Sequence, residues 1–73
     1  MQKEVYILVN GYKIRTLREV HELSLEGLAY KIGVTSSALS YFERGFRQPS
    51  SEVLKRIADE FGVTMNDLMA ESA

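Results

Sequence analysis

The chain has 73 residues, 45% of them apolar, with no cysteine, one histidine, and 9 Lys and Arg against 10 Asp and Glu for a formal charge of −1. A chain this short buries only about 60% of the surface its unfolded form exposes, so it makes one small domain, and an enzyme with a deep interdomain cleft is excluded. Disulfides, thiolate nucleophiles and Cys-ligated metals are excluded too, and the longest apolar run, Val5 to Val9, falls far short of the roughly 18 residues a membrane span needs.

Residues 4–9 come first in chain order. Val5, Ile7 and Val9 alternate with Tyr6 and Leu8, a β-branched and aromatic pattern that suits a strand. No second strand is visible, so residues 1–10 are expected either to lie on the core as an extended arm or to pair with the same strand of a second subunit. Asn10 is the expected cap of a first helix, with Ile14, Leu17 and Val20 or His21 at helical spacing and an end near Glu22. Ser24 opens a second, with Leu25, Leu28, Ala29 and Ile32 as its apolar stripe and Gly33 as its stop. Thr35 caps a third, carrying Leu39 and Phe42 on one side, and Gly45 and Pro49 bracket the loop that follows. Ser50 caps a fourth, with Val53, Leu54, Ile57, Ala58 and Phe61 on one face and Gly62 at its end. Thr64 and Asp67 have the spacing of a capping box, which predicts a fifth short helix ending near Met69. The charge is uneven along these elements. Residues 11–48 hold six cations against four carboxylates, and residues 49–73 hold two against five.

The informative block runs from Leu25 to Phe42. Two helices joined by so short a turn meet at a steep angle, close to each other at the small Ala29, with Leu28, Ile32, Val34, Leu39 and Phe42 filling the angle. The second of the pair is left projecting, and Ser36, Ser37, Ser40, Tyr41 and Arg44 are its exposed positions.

Ser24 to Gly45 reads SLEGLAYKIGVTSSALSYFERG and is followed by Arg47-Gln-Pro-Ser50 and Phe61-Gly-Val-Thr64. This combined pattern resembles the phage Cro and repressor type of helix-turn-helix domain, the XRE family, over roughly residues 11–70. The resemblance implies an all-α, compact five-helix fold, here with a strand-like arm at residues 1–10 and a tail at 71–73. It also implies sequence-specific binding of double-stranded DNA by a small transcriptional regulator. Its third helix, about residues 36–44, would enter the major groove, and the protein would act as a homodimer on a palindromic operator. Position by position, Ser36, Ser37 and Tyr41 match base-facing sites with Ser40 at their margin, Arg44 and Arg47 match sites near phosphates, and Arg18 with Glu43 matches a buried or half-buried ion pair; Thr35 is expected as a further phosphate contact. An Arg inside the apolar stripe of the first helix also needs a carboxylate on physical grounds. The sequence departs from the family at Gly27, where a capping-box Glu is common, at Leu25, where Gln often touches phosphate, and at Glu22, where Gly often ends the first helix. A Glu at that last turn implies strain or a different shape.

Several of these residues also have a plainer role. Ser36 and Ser37 are good first-turn residues beside a Thr cap, Tyr41 fits as a rim residue over Val34 or Leu39, and Lys13, Arg15 and Lys31 read as a solvated face. His21 sits where a helix dipole favours it, not where a metal site would form. The competing function is a protein-interaction module on the same fold, such as an antitoxin or adaptor, which the acidic balance and the arm both suit. An enzyme finds no nucleophile, phosphate loop or acidic pair here, and neither metal nor cofactor is expected. A cytoplasmic location, no membrane contact, and a dimer interface at the arm (Tyr6, Leu8) or the fifth helix (Leu68, Met69) complete the expectations.

Overall fold

A computed structural model describes residues 8–70. Its four α-helices are α1 (Gly11–Val20), α2 (Leu25–Ile32), α3 (Ser36–Arg44) and α4 (Ser51–Phe61), and a single 3-10 turn, Asn66–Leu68, follows them. Each α-helix begins at a side-chain cap that the sequence marks. Asn10, Ser24, Thr35 and Ser50 accept from the backbone N–H groups of Lys13, Gly27, Ala38 and Val53, which satisfies one of the free donors every helix start leaves.

The helix ends share one backbone device. After α2, Val34 N–H donates back to the Ala29 carbonyl; after α3, Phe46 to Tyr41; after α4, Val63 to Ala58; and after α1, Leu23 to Arg18. This six-to-one closure needs a left-handed residue just before the donor. Glycine supplies it at three ends, and at the fourth Glu22 takes it with φ 57°.

The core is built from Ile14, Leu28, Ile32, Leu39, Ile57 and Leu68, all fully buried, with Ala29, Phe42, Leu54, Ala58 and Phe61 around them. Val20 faces solvent, while the His21 ring packs on Phe61 of α4 at 4.9 Å between centroids. Packing joins α3 to both α1 and α2, α4 to α2, and the 3-10 turn to α1. Gly11 is what lets α1 approach α3, because a Cβ there would collide with the Phe42 carbonyl oxygen and lie 2.6 Å from that of Glu43.

The structure departs from the sequence reading after α4. The capping box exists: Asp67 Oδ2 accepts from Thr64 N–H at 3.0 Å and Thr64 Oγ1 from Asp67 N–H at 3.1 Å. Yet the expected fifth α-helix is only the 3-10 turn, since Met69 leaves it in an extended conformation. The cause is the arm. Val9 and Met69 form an isolated antiparallel bridge, with Asn10 N–H donating to Leu68 O at 2.7 Å and Ala70 N–H to Leu8 O at 2.8 Å. Val9 therefore has a pairing partner in its own chain, contrary to expectation. The rest of the predicted strand, residues 4–7, lies outside the described residues. Leu68, named as a candidate dimer contact, is fully buried in the monomer core and unavailable to a second subunit.

Candidate nucleic-acid interface

Gly33, Val34 and Thr35 link α2 to α3. The turn is fixed from three sides: Val34 packs on the core, Thr35 caps α3, and Arg56 of α4 donates from Nη1 to the Ile32 carbonyl at 3.3 Å. A cation at the end of α2 also complements the helix dipole. The α2–turn–α3 unit is thus clamped to α4, and α3 is left with one face on the core and one outside.

On α3, Leu39 and Phe42 are buried, and Ser37, Tyr41 and Arg44 form the exposed stripe at i, i+4 and i+7. Ser36 and Ser40 flank it half-buried. Thr35 stands exposed at the N-terminus, its oxygen accepting from Ala38 N–H at 3.0 Å, which leaves its hydroxyl proton free to donate.

The far end of α3 is anchored by Arg18 and Glu43. Arg18 Nε and Nη2 donate to the two carboxylate oxygens of Glu43 at 2.7 and 3.2 Å, and Nη1 donates to Leu23 O at 2.8 Å. Their side chains are only 12% and 5% exposed, so this is a planar, nearly water-free pair that sets the rotation of α3 relative to α1. The hydrogen bond to Glu43 holds the Arg18 pKa above its already high ordinary value, against the opposing effect of burial.

The other cations divide cleanly. Arg15 pairs with Glu19, Lys31 with Glu60, Lys55 with Asp59 and Arg56 with Glu52. Among the described residues, Arg44 and Arg47 have no carboxylate partner, and both lie at the exposed end of α3. Lys13, also without an ion pair among the described residues, stands near Asp67, whose carboxyl is held below its ordinary pKa by hydrogen bonds with Thr64 first and by the Lys13 charge last. No group of three potential metal ligands occurs among the described residues, and no described helix is long and apolar enough to cross a membrane.

The helix-turn-helix family model matches residues 14–68. The chain belongs to the helix-turn-helix family of Cro and phage-repressor type. It is 31% identical over 68 residues to the HTH-type transcriptional regulator YazB of Bacillus subtilis, with 93% of each chain covered. It is also 31% identical over 61 residues to the antitoxin PezA of Streptococcus pneumoniae, covering 84% of this chain and 39% of that protein. Among solved structures, Bacillus subtilis SinR in complex with DNA superposes with a TM-score of 0.73 at 34% identity, covering 80% of this chain and 94% of SinR. The chain spans 21% and 39% of the length of mycobacterial regulators it matches at 40% and 43% identity. The family is one of transcriptional regulators, not of enzymes.

Four positions matter here that the sequence reading passed over. Gly11 sets the approach of α1 to α3, and Arg56 closes the α2 end. Gln48 Oε1 accepts from Val9 N–H at 2.8 Å, and Phe46 lies beside Tyr41 and Arg44. Only Phe46 carries a local signal: it is the apolar residue immediately after a helix-ending glycine, the position that Val34 and Val63 occupy after theirs.

Proposed function

We propose that the protein is a small transcriptional regulator that binds double-stranded DNA sequence-specifically, with α3 in the major groove. The carrying observation is the exposed Ser37, Tyr41 and Arg44 stripe on a helix packed between α1 and α2, with Arg47 beside Arg44 as a second arginine without a carboxylate partner among the described residues. Residues 11–70 are the reading unit, residues 1–10 an arm and 71–73 a tail. Ser36, Ser37, Ser40 and Tyr41 face bases; Thr35, Arg44 and Arg47 face phosphates. Serine hydroxyls donate or accept to any base, so they discriminate modestly, and Tyr41 supplies a thymine-methyl or phosphate contact. The N-terminus of α3, with its free N–H groups, favours a phosphate beside Thr35. Arg44 and Arg47 set register and affinity, while the serines and Tyr41 set sequence.

A homodimer on a palindrome places two copies of α3 about 34 Å apart, one turn of DNA. The arm is the preferred interface, because Leu8 is exposed and Val9, Met65 and Met69 line an apolar hollow of about 310 Å³ beside it. Such a regulator acts in the cytoplasm and needs no cofactor. Selection of binding sites from random duplexes tests the reading: two half-sites one helical turn apart are expected. Enrichment of no sequence at moderate salt rejects it. The similarity to an antitoxin supports a second reading, an interaction module with a protein partner. A salt series separates the two, since phosphate neutralisation gives an affinity that falls steeply with salt.

A further inference from the structure

We propose that Phe46 is a positioning residue: with Tyr41 it holds the Arg44 guanidinium ready for a DNA phosphate. The inference rests on the assignment of Arg44 to phosphate contact. The Arg44 guanidinium carbon lies 4.9 Å from the centroid of the Phe46 ring and 5.3 Å from that of Tyr41, and the two rings are 6.4 Å apart. A guanidinium carries its N–H donors at its edge and is attracted to aromatic rings through its face. Stacking therefore fixes its position without consuming a donor, and the edge stays free for a phosphate.

The backbone explains how Phe46 comes to be there. Gly45 turns the chain with φ 80°, and the closing bond from Phe46 N–H to Tyr41 O at 2.9 Å folds residue 46 back over the last turn of α3. Leu23, Val34 and Val63 occupy the same place at the other three helix ends, and all three pack on the core. Phe46 alone points outward, 69% exposed. An apolar ring left in water at a position whose equivalents pack partly buried on the core finds its contacts in the Arg44 end of α3.

An arginine already confined in the free protein loses less side-chain freedom on binding, and a surface cation–π contact of ordinary strength corresponds to about a two- to five-fold gain in affinity. The test uses the full chain and a mixed-sequence DNA duplex about two helical turns long, across a salt series. Phe46→Ala is expected to weaken binding about two- to five-fold with an unchanged salt slope, Phe46→Tyr to restore it, and Phe46→Ala to add nothing in an Arg44→Ala background. Arg44→Ala alone is expected to weaken binding and to lower the slope by about one for each site. In the free protein, ring currents shift the Arg44 side-chain proton resonances upfield, and Phe46→Ala reduces that shift to the part that Tyr41 supplies. The proposal is overturned if Phe46→Ala leaves both the resonances and the affinity unchanged. It is equally overturned if the mutation costs the same factor with and without Arg44, which makes the ring itself the DNA contact. An Arg44→Ala protein that keeps full affinity and slope rejects the phosphate assignment instead, while the resonances still report the clamp.

Discussion

Glu22 and Gly11 are two single residues whose backbone demands run opposite to their chemistry. Glu22 holds a left-handed conformation at φ 57°, which costs an L-residue with a Cβ roughly 1–2 kcal/mol. It is tolerated because the turn it completes packs Leu23 on the core and aims the Leu23 carbonyl at Arg18. Glu22→Gly is expected to raise stability by about 0.5–1 kcal/mol in urea denaturation, glycine's extra unfolded-state freedom offsetting part of the relief. A lowered midpoint would contradict the strain. Gly11 is the converse case. Gly11→Ala forces backbone apart from backbone where α1 meets α3, so it is expected to cost about 2 kcal/mol or more in the same assay and, by moving the Arg44 end of α3, to weaken DNA binding as well. The strain at Glu22 was legible because a glycine is expected at that turn. Gly11 was not, because its constraint comes from Phe42 and Glu43, which the local sequence around it does not reveal.

At the level of elements, the legible features are those decided within four or five residues. The caps at Asn10, Ser24, Thr35 and Ser50 depend on donors three residues on, and the glycine stops on the turn beside them. The capping box at Thr64 and Asp67 is equally local, and it formed. What it could not forecast is the extended Met69, since Val9 lies at the other end of the chain. The box has a pH signature. Hydrogen bonds from the Thr64 backbone, then from its side chain, hold the Asp67 carboxyl below its ordinary value of 3.8. A carboxylate with a depressed folded pKa contributes stability that is complete above the unfolded value and disappears as pH falls through the folded one. The difference in melting temperature between wild type and Asp67→Asn is therefore expected to be constant near neutrality and to shrink once pH drops below 3.8. A difference that persists unchanged into strong acid would assign the effect to something other than ionisation.

Across the whole molecule the formal charge of −1 misleads, because the cations are not equally available. Arg15, Lys31, Lys55 and Arg56 are each matched with a carboxylate, Arg18 is nearly buried, and the free arginines are gathered at the end of α3. Arg47→Ala is expected to weaken all duplexes similarly and to flatten the salt dependence by about one in slope per site, whereas Lys55→Ala leaves both unchanged. Equal losses from the two variants would mean that net charge, not placement, governs binding. The sequence made the positions of these residues readable through the family pattern, but which cations are spent on ion pairs depends on helix packing.

Gln48 gives the arm a boundary. Between strands, the residue of a bridge such as Val9 turns its own N–H and carbonyl away from its partner, so that edge would ordinarily accept another strand. The Gln48 amide oxygen already takes the Val9 N–H at 2.8 Å. Val9 therefore has no N–H left to offer a further strand. The amide that closes this edge belongs to the loop following α3, so one short segment ties the exposed end of that helix to the edge of the arm.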